Sequence, residues 1–219
     1  MEKKLKRDQL PAEKAKNWRN NFDEEAEKTF NLKLSPIILQ KDTYKSLIGE
    51  NENRVRVYLG LEPEKDGNKY VLCGYAVSSF LLGSGDVYAD YETPVYKLSE
   101  VNEDYSNNTE AVISSIHLYR KWRAGEIDVK HEGAPFRQYI YPNAYLLTKF
   151  ELHELFNTQN RSSIKIEFGI KKTMDAIVSA VTDQLLKSAG DVDDPDDLEE
   201  FNSTGVCPPF CDERSIYNS

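Results

Sequence analysis

Two parts of the chain align with each other, and this internal similarity constrains the fold more than any single motif does. Residues 39–48 align with residues 147–156, and one inserted residue later residues 55–61 align with residues 164–170. The matched positions are Trp18/Trp122, Leu39/Leu147, Lys41/Lys149, Tyr44/Leu152, Leu47/Leu155, Ile48/Phe156 and Ala76/Ala180. A duplicated unit predicts two similar halves that pack about a pseudo-two-fold axis, with Trp18 and Trp122 as anchors of equivalent cores. The alternative is a chance alignment of two unrelated helix–strand segments.

Hydrophobic periodicity predicts similar elements in both halves. In the first half, apolar residues at helical spacing predict a helix over 11–30, and strict alternation predicts a strand over 54–61 that pairs with 70–77 as a hairpin. In the second half, the same patterns predict a helix over 109–124 and a strand over 164–170. We expect one face of each alternating strand to be buried and the other to be exposed, with Val55, Val57 and Leu59 on one face of the first strand and Arg54, Arg56 and Tyr58 on the other.

The rest of each half is predicted to contain a short helix and a second strand. Residues 43–48 give one or two helical turns. Residues 148–151 (Thr-Lys-Phe-Glu) match a capping box, in which the hydroxyl and the carboxylate accept hydrogen bonds from free amides at a helix start. Residues 174–189 fit either a strand or an amphipathic helix, and we expect a strand to about Val181 and a helix to about Ser188. Paired strands combined with helices indicate an α+β fold.

These elements divide the chain into four segments. The first half occupies residues 1–80 and the second half occupies residues 109–190. Residues 81–108 form a connector that contains at most one short strand, near 95–98. Residues 191–219 form an acidic linker followed by an extended C-terminal tail.

The acidic linker has three interpretations. Seven of the ten residues in 191–200 are acidic, which is typical of a solvated segment that repels itself into an extended form. A calcium-binding loop fits less well, because no glycine lies in the middle of the segment and Pro195 interrupts the ligand register. The third interpretation is a docking segment for a basic partner.

Composition argues against several classes of protein. The net charge of −9 argues against a nucleic-acid binder, since phosphate contacts need a surplus of Lys and Arg. The chain has no run of about 20 apolar residues, so we expect no membrane partner. The basic N-terminus is not followed by the apolar region of a secretory signal, so we expect a cytoplasmic protein. Thirteen Tyr, nine Phe and two Trp are typical of strands and of interfaces, and this favours a homo-oligomer.

The most distinctive short motif is Cys207-Pro208-Pro209-Phe210-Cys211. In polyproline II conformation, at about 3.1 Å per residue, its two cysteine Cα atoms would lie about 12 Å apart. A disulfide tolerates about 7 Å, so it would need a turn, such as one through a cis proline. Alternatively, Cys207 and Cys211 could supply half of the ligands of a structural zinc site that is completed across an oligomer axis. The interpretation that we prefer is a stiff peptide that docks on the protein itself or on a neighbouring subunit.

No catalytic or cofactor-binding motif is recognisable in the sequence. A Gly-x-Ser-x-Gly nucleophile elbow is absent, and His117, His131 and His153 lie near no nucleophile pattern. Residues 83–85 (Gly-Ser-Gly) lack the third glycine and the helix start of a dinucleotide-binding loop, so they predict a turn. We therefore expect no enzyme activity and no cofactor, and the two C-terminal cysteines are the weak candidates for metal ligands.

Four motifs of the chain, taken together, are similar to those of one group of proteins. They are residues 15–22 (AKNWRNNF), residues 54–61 (RVRVYLGL), Asp66-Gly67 with residues 70–72 (YVL), and the C-terminal Cys-Pro-Pro-Phe-Cys motif. In this set the chain resembles a group of small hypothetical proteins common in Bacteroidota, which typically have an aromatic helix, a Gly-Ile-Arg-Ile-Tyr-Tyr-Gly-Leu-like strand, a hairpin strand and a Cys-Pro-Pro-x-Cys terminus. The resemblance covers about the first 80 residues and the last ten or so. It implies a cytoplasmic bacterial protein and no particular mechanism.

Together, these patterns favour a non-enzymatic, self-associating scaffold or assembly subunit. A duplicated unit lets one subunit present two similar surfaces and so propagate an array. The predicted interface residues are Tyr58, Tyr70, Tyr75, Phe168, Cys207, Pro208, Pro209, Phe210 and Cys211. Two alternatives stay open. One is an acidic, immunity-type module that blocks a basic protein by electrostatic complementarity, and the other is a thiol- or metal-dependent enzyme that uses the two C-terminal cysteines.

Overall fold

The α+β class predicted from the sequence is confirmed. The computed structural model describes residues 5–29, 32–64, 69–83, 87–127, 140–181, 199–202, 205–207 and 211–218. Its helices are α1 (Ala12–Thr29), α2 (Lys41–Ile48), α3 (Thr109–Arg123) and α4 (Lys149–His153), and α4 continues into a π-helical turn at Glu154–Thr158. Across these described ranges, no helix is both long enough and apolar enough to cross a membrane.

The strands form two sheets. The strands are β1 (Gln9–Leu10), β2 (Leu32–Leu34), β3 (Ile37–Gln40), β4 (Arg54–Pro63), β5 (Tyr70–Leu81), β6 (Tyr88–Leu98), β7 (Glu103–Asp104), β8 (Ala144–Leu146), β9 (Ser163–Ile170), β10 (Met174–Ala180), β11 (Glu200–Asn202) and β12 (Gly205–Cys207). The five-stranded sheet has the order β1-β11-β10-β9-β3, and the seven-stranded sheet has the order β12-β8-β4-β5-β6-β7, with β2 added beside β5. The neighbours are antiparallel, except that β2 is parallel to β5.

Each sheet combines strands from both parts of the chain. β3 pairs with β9, and β8 pairs with β4. As a result, β4 lies between β8 and β5, and β9 lies between β3 and β10. Each long helix also packs against a strand from the other part of the chain, since α1 packs against β9 and α3 packs against β4. The first and second parts of the chain are therefore interlocked.

Both crossings of a long helix over a strand occur at a glycine. A Cβ atom on Gly169 would lie 2.8 Å from the Cβ atom of Trp18 in α1, and a Cβ atom on Gly60 would clash with the Ser115 hydroxyl of α3. Glycine has no Cβ, so the helix backbone can approach the strand closely at these two points.

The main hydrophobic core contains buried residues of both sheets together with residues of α2 and α4. A second cluster lies between the seven-stranded sheet and α3, and it includes Tyr58 of β4. Both faces of β4 are thus covered, and the prediction that Arg56 and Tyr58 face solvent is wrong, because each side chain is buried.

The two tryptophans do not anchor equivalent cores, contrary to the sequence-based prediction. Trp122 is in the main core, where its ring packs against Tyr119 and Tyr141. Trp18 belongs instead to a small separate cluster formed by the start of the chain, α1 and β10. Trp18 lies on the part of α1 that crosses β9 at Gly169, and this position places its side chain outside the main core.

The segment predicted as a connector is in fact part of the seven-stranded sheet. β6 is antiparallel to β5 and contributes two buried residues to the cores. Pro94 does not end this strand because the register shifts there: Val77 lies opposite Val95, whereas Ser79 lies opposite Asp90. The β6 residues in between, Pro94 among them, are left outside the ladder, where a missing N–H donor costs little.

The segment predicted as an extended tail also contains strands. β11 pairs with β10 and with β1, and β12 pairs with β8. Phe201 in β11 and Cys207 in β12 are buried, so these short strands are held by packing as well as by backbone pairing. The acidic run over 191–198 and the helix expected up to Ser188 lie outside the described residues.

Candidate functional site

The outer part of β5 and β6 forms an arm beyond the end of β4. The pairing of β4 with β5 stops at Arg54 opposite Ser79, whereas β5 and β6 stay paired beyond this point. The Leu82 amide also donates a hydrogen bond of 2.7 Å to the Val87 carbonyl. We define the arm as residues 80–83 and 87–91.

The arm concentrates exposed apolar side chains. Seven large hydrophobic side chains are exposed in the described part of the chain, and four of them lie on the arm. These four are Leu81, Leu82, Val87 and Tyr91, with exposed fractions between 42% and 53%. Scattered apolar residues are normal on a protein surface, but such a concentration is typical of an interaction site.

A buried ion pair holds the base of the arm. Arg56 Nε donates a hydrogen bond of 2.8 Å to Asp90 Oδ1, and both side chains are only 1% exposed. The hydroxyls of Tyr58 and Ser79 also donate to the Asp90 carboxylate. Burial, together with the nearby Asp90 charge, raises the pKa of Tyr58 well above its ordinary value, so this phenol stays a donor. The paired charge and the satisfied oxygens compensate the Asp90 carboxylate in its buried position.

The C-terminal segment 211–218 covers the outer edge of β6. Asp212 Oδ2 accepts a hydrogen bond of 2.9 Å from the Asp90 amide, and the Tyr217 hydroxyl donates to the Glu92 carbonyl. Tyr217 is itself buried, and its ring packs against Tyr58. These contacts satisfy backbone groups that an edge strand would otherwise expose, and they fix the arm's base.

Cys207 and Cys211 form a disulfide, and their Cα atoms lie 4.9 Å apart. The distance of about 12 Å expected for a polyproline II segment is therefore wrong. Because both sulfurs are bonded, neither is available as a thiolate ligand for a metal. The remaining cysteine, Cys73, is buried, and burial raises the pKa of its thiol to about 11. The described residues contain no group of three or more side chains suited to hold a metal ion.

Removing the disulfide is expected to weaken the folded state moderately. Closing a loop of five residues reduces the entropy of the unfolded chain, which corresponds to about 2 kcal/mol of stability. Urea unfolding of the wild-type protein with and without a reductant measures this difference. In the double variant Cys207→Ser/Cys211→Ser, the reductant should change nothing. An unchanged midpoint for the reduced wild-type protein would contradict the expectation.

A cavity of about 510 Å³ and another of about 500 Å³ are present in the described part of the chain. The second lies between the arm and the C-terminal segment, and its lining combines Leu82 and Val87 with Glu92, Asp212 and Glu213. Glu92, Glu213 and Arg214 are exposed, so the mouth of this cavity carries two negative charges and one positive charge.

The residues that the sequence singled out as an interface lie elsewhere. Tyr58, Tyr75, Phe168 and Cys207 are buried within the chain, because both faces of the sheets are covered by helices or by the other sheet. Tyr58, Tyr75 and Cys207 are each at most 1% exposed and offer no contact surface to a second molecule, whereas Phe168, at 7%, lines a surface groove. Tyr70 and Cys211 are half-buried. Pro208, Pro209 and Phe210 lie outside the described residues.

The other candidates for chemistry form no site among the described residues. His117 and His153 are exposed on α3 and α4. His131 lies outside the described ranges, as do two of the three residues at 83–85. The arm itself could have been found from the sequence, since apolar residues flank the Gly-Ser-Gly sequence at 83–85 on both sides.

Comparisons with known proteins add no assignment to this geometry. The resemblance to the Bacteroidota group stays a prediction. No protein-family model, no curated protein and no solved structure matches the chain.

Proposed function

We propose that the chain is a non-enzymatic, self-associating assembly subunit that uses the arm as its contact surface. The observation that carries this proposal is the concentration of exposed Leu81, Leu82, Val87 and Tyr91 on a hairpin beyond the edge of β4. Exposed aliphatic surface is unfavourable in water, and covering it with a second copy is favourable in proportion to the area removed from water.

The way the arm is held supports a role in binding. Its base is fixed by the buried Asp90 carboxylate, and its outer edge is capped by Asp212 and Tyr217. The rings of Phe80 and Tyr91 also pack against each other, with centroids 4.6 Å apart. A contact surface that is already ordered loses less conformational entropy on association.

Replacing apolar arm residues by charged ones is expected to abolish self-association. In the double variant Leu82→Glu/Val87→Glu, association should be at least about tenfold weaker, because each lost aliphatic contact costs about 1.5 kcal/mol or more. Sedimentation velocity over a concentration series measures the effect. The matched control is Val101→Glu, since Val101 is 68% exposed and lies outside the arm.

A wild-type protein that stays monomeric at every concentration would contradict the proposal. If that monomer binds a basic protein, the acidic, immunity-type module becomes the better function. The exposed carboxylates of Glu92 and Glu213 beside the arm are the observation that favours this alternative. A thiol- or metal-dependent activity of Cys207 and Cys211 would first require reduction of their disulfide.

We further propose that the two halves arose by duplication of one unit. The support is the strand register. Leu39 lies opposite Ile164, and at the aligned positions the Leu147 amide donates a hydrogen bond of 2.9 Å to the Val55 carbonyl. The glycines at the two helix crossings, Gly60 and Gly169, also occupy aligned positions.

The strand pairing within each hairpin changes one matched pair of the sequence alignment. Ser78 lies opposite Val55, and Ala180 lies opposite Ile164. Ser78 therefore corresponds to Ala180 in the second strand of each hairpin, and the match of Ala76 to Ala180 is displaced by two residues. The acidic linker between the second half and β11 stays a prediction.

The cytoplasmic location also stays a prediction, and one feature argues against it. Disulfides such as Cys207–Cys211 form and persist mainly in oxidising compartments. Alkylation of free thiols in intact cells, followed by mass spectrometry of the peptide, distinguishes a bonded pair from two free thiols. Free thiols would agree with the cytoplasm.

A further inference from the structure

A recessed apolar surface lies beside β9, next to the first residue of β3. It is a groove of about 510 Å³ between α1, the connection from β2 to β3, and β9. Its lining includes the buried side chains of Phe22, Ile166 and Phe168 and the more exposed side chains of Leu34, Pro36 and Ile38. The volume lies within the range of about 300–1,000 Å³ that is typical of pockets which bury ligands.

The groove exists because β3 is shorter than β9. Their pairing begins at Ile37 opposite Ile166, so Phe168 has no β3 residue opposite it. α1 closes only part of this space: Asn21 donates a hydrogen bond of 2.9 Å to the Ile170 carbonyl, and Phe22 packs against Phe168. Among the described residues, nothing covers the apolar strip between α1 and the start of β3.

Three of the four charged side chains on the wall of the groove are paired within the chain, and the fourth, Asp23, is exposed to solvent. Arg19 forms ion pairs with Glu167, at 2.7 Å, and with Glu200. Lys165 lies 3.1 Å from the same Glu167 carboxylate. An occupant therefore does not need to bring charges of its own, and an apolar one suits the site best.

We propose that the groove receives the arm of a second copy of this chain. The proposal rests on the proposed function and names the surface that the arm contacts. Leu81, Leu82 and Val87 supply projecting aliphatic side chains, and the groove supplies an apolar recess. The cavity beside the arm is a poorer acceptor, because an aliphatic occupant would desolvate the carboxylates of Glu92 and Glu213.

An arm-in-groove contact joins two different surfaces of the same chain. Such a heterologous contact does not use up both surfaces of either partner, so each added subunit still presents a free arm or a free groove. The interface therefore propagates into a ring or a filament. An arm-to-arm contact would instead stop at a closed dimer.

Complementation of two defective variants tests this geometry. The arm variant is Leu82→Glu/Val87→Glu, and the groove variant is Leu34→Glu, at a side chain that is 44% exposed. Each variant alone should sediment as a monomer, with association at least about tenfold weaker than in the wild type. An equimolar mixture should form dimers and nothing larger, because one intact groove meets one intact arm. Val101→Glu should assemble as the wild type does.

Other outcomes separate the two proposals. If the mixture stays monomeric, or if Leu34→Glu assembles like the wild type, the groove is not the acceptor, although a monomeric arm variant still supports assembly through the arm. A small apolar molecule found in the wild-type groove by native mass spectrometry would also overturn the arm-in-groove contact. A wild-type protein that never associates refutes both proposals.

Thermal unfolding checks that each variant is folded, and Leu34→Ser replaces Leu34→Glu if the latter is unfolded.

Discussion

Replacing Asp90 by alanine is expected to lower the free energy of unfolding by about 3–5 kcal/mol, since it removes the carboxylate that is ion-paired with the buried Arg56 guanidinium. Arg56 would keep its positive charge at 1% exposure, and the hydroxyls of Tyr58 and Ser79 would lose their acceptor. Chemical denaturation monitored by circular dichroism measures the loss. The arm should also lose its fixed base, so association should weaken in the same variant.

The matched control replaces both partners by apolar residues. Because a buried ion pair pays a large desolvation cost, Arg56→Met/Asp90→Leu should recover much of the stability that Asp90→Ala loses. A loss below about 1 kcal/mol in Asp90→Ala would mean that water or another group compensates Arg56, and the buried pair would not be what holds the arm.

The second large effect concerns Glu151, whose burial raises the pKa of its carboxyl to about 8. The side chain is fully buried, and its Oε1 atom accepts a hydrogen bond of 3.1 Å from the Thr148 amide in the capping box. This hydrogen bond acts in the opposite direction, and the nearby charge of Asp8 raises the pKa further. Oε2 has no hydrogen-bond partner among the described residues. The folded state therefore favours the protonated, neutral carboxyl.

Stability is consequently expected to fall as the pH rises. The folded protein holds a proton on Glu151 that the unfolded chain releases near its ordinary pKa of about 4.5, so the stabilisation is complete below this pH. It decreases by about 1.4 kcal/mol per pH unit until about pH 8, and the total is at most about 5 kcal/mol. Urea unfolding at a series of pH values measures the slope.

Glu151→Gln isolates this effect. The amide keeps the Oε1 acceptor of the capping box and has no proton to lose, so the variant should show a flatter profile between about pH 6 and pH 8. Burial also raises the pKa of Asp175, to about 6, but this group is common to both proteins and cancels in the difference. Glu154→Gln is the matched control and should keep the wild-type slope in this range, because its Lys6 hydrogen bond lowers the pKa of Glu154. Parallel profiles for Glu151→Gln and the wild type would show that Glu151 is ionised in the folded protein.

Features that depend on neighbours in sequence were predictable. The capping box at 148–151 and the alternation over 164–170 both involve residues a few positions apart, and both are confirmed. The α+β class followed from the same local patterns. The strand from Met174 is also confirmed, as far as Ala180.

Burial was less predictable, because it depends on contacts with distant parts of the chain. Alternation alone places Arg56 and Tyr58 on an exposed face, and only the β5–β6 register brings Asp90 beside them. The same limit applies to the candidate site. The Gly-Ser-Gly sequence at 83–85 predicts a turn, but the exposure of the apolar residues beside it depends on β4 ending opposite Ser79, which no local pattern specifies.

The exchange of strands between the two halves has a consequence for biosynthesis. The last residue of β3 and the first residue of its partner β9 are separated by 123 positions, since Gln40 precedes Ser163. At a synthesis rate of about 5–20 residues per second, the nascent chain waits on the order of ten seconds before this pair can form. During that interval Ile37 and Leu39 have no β9 to cover them, so this apolar surface is open to aggregation or to chaperone binding until β9 has been synthesised.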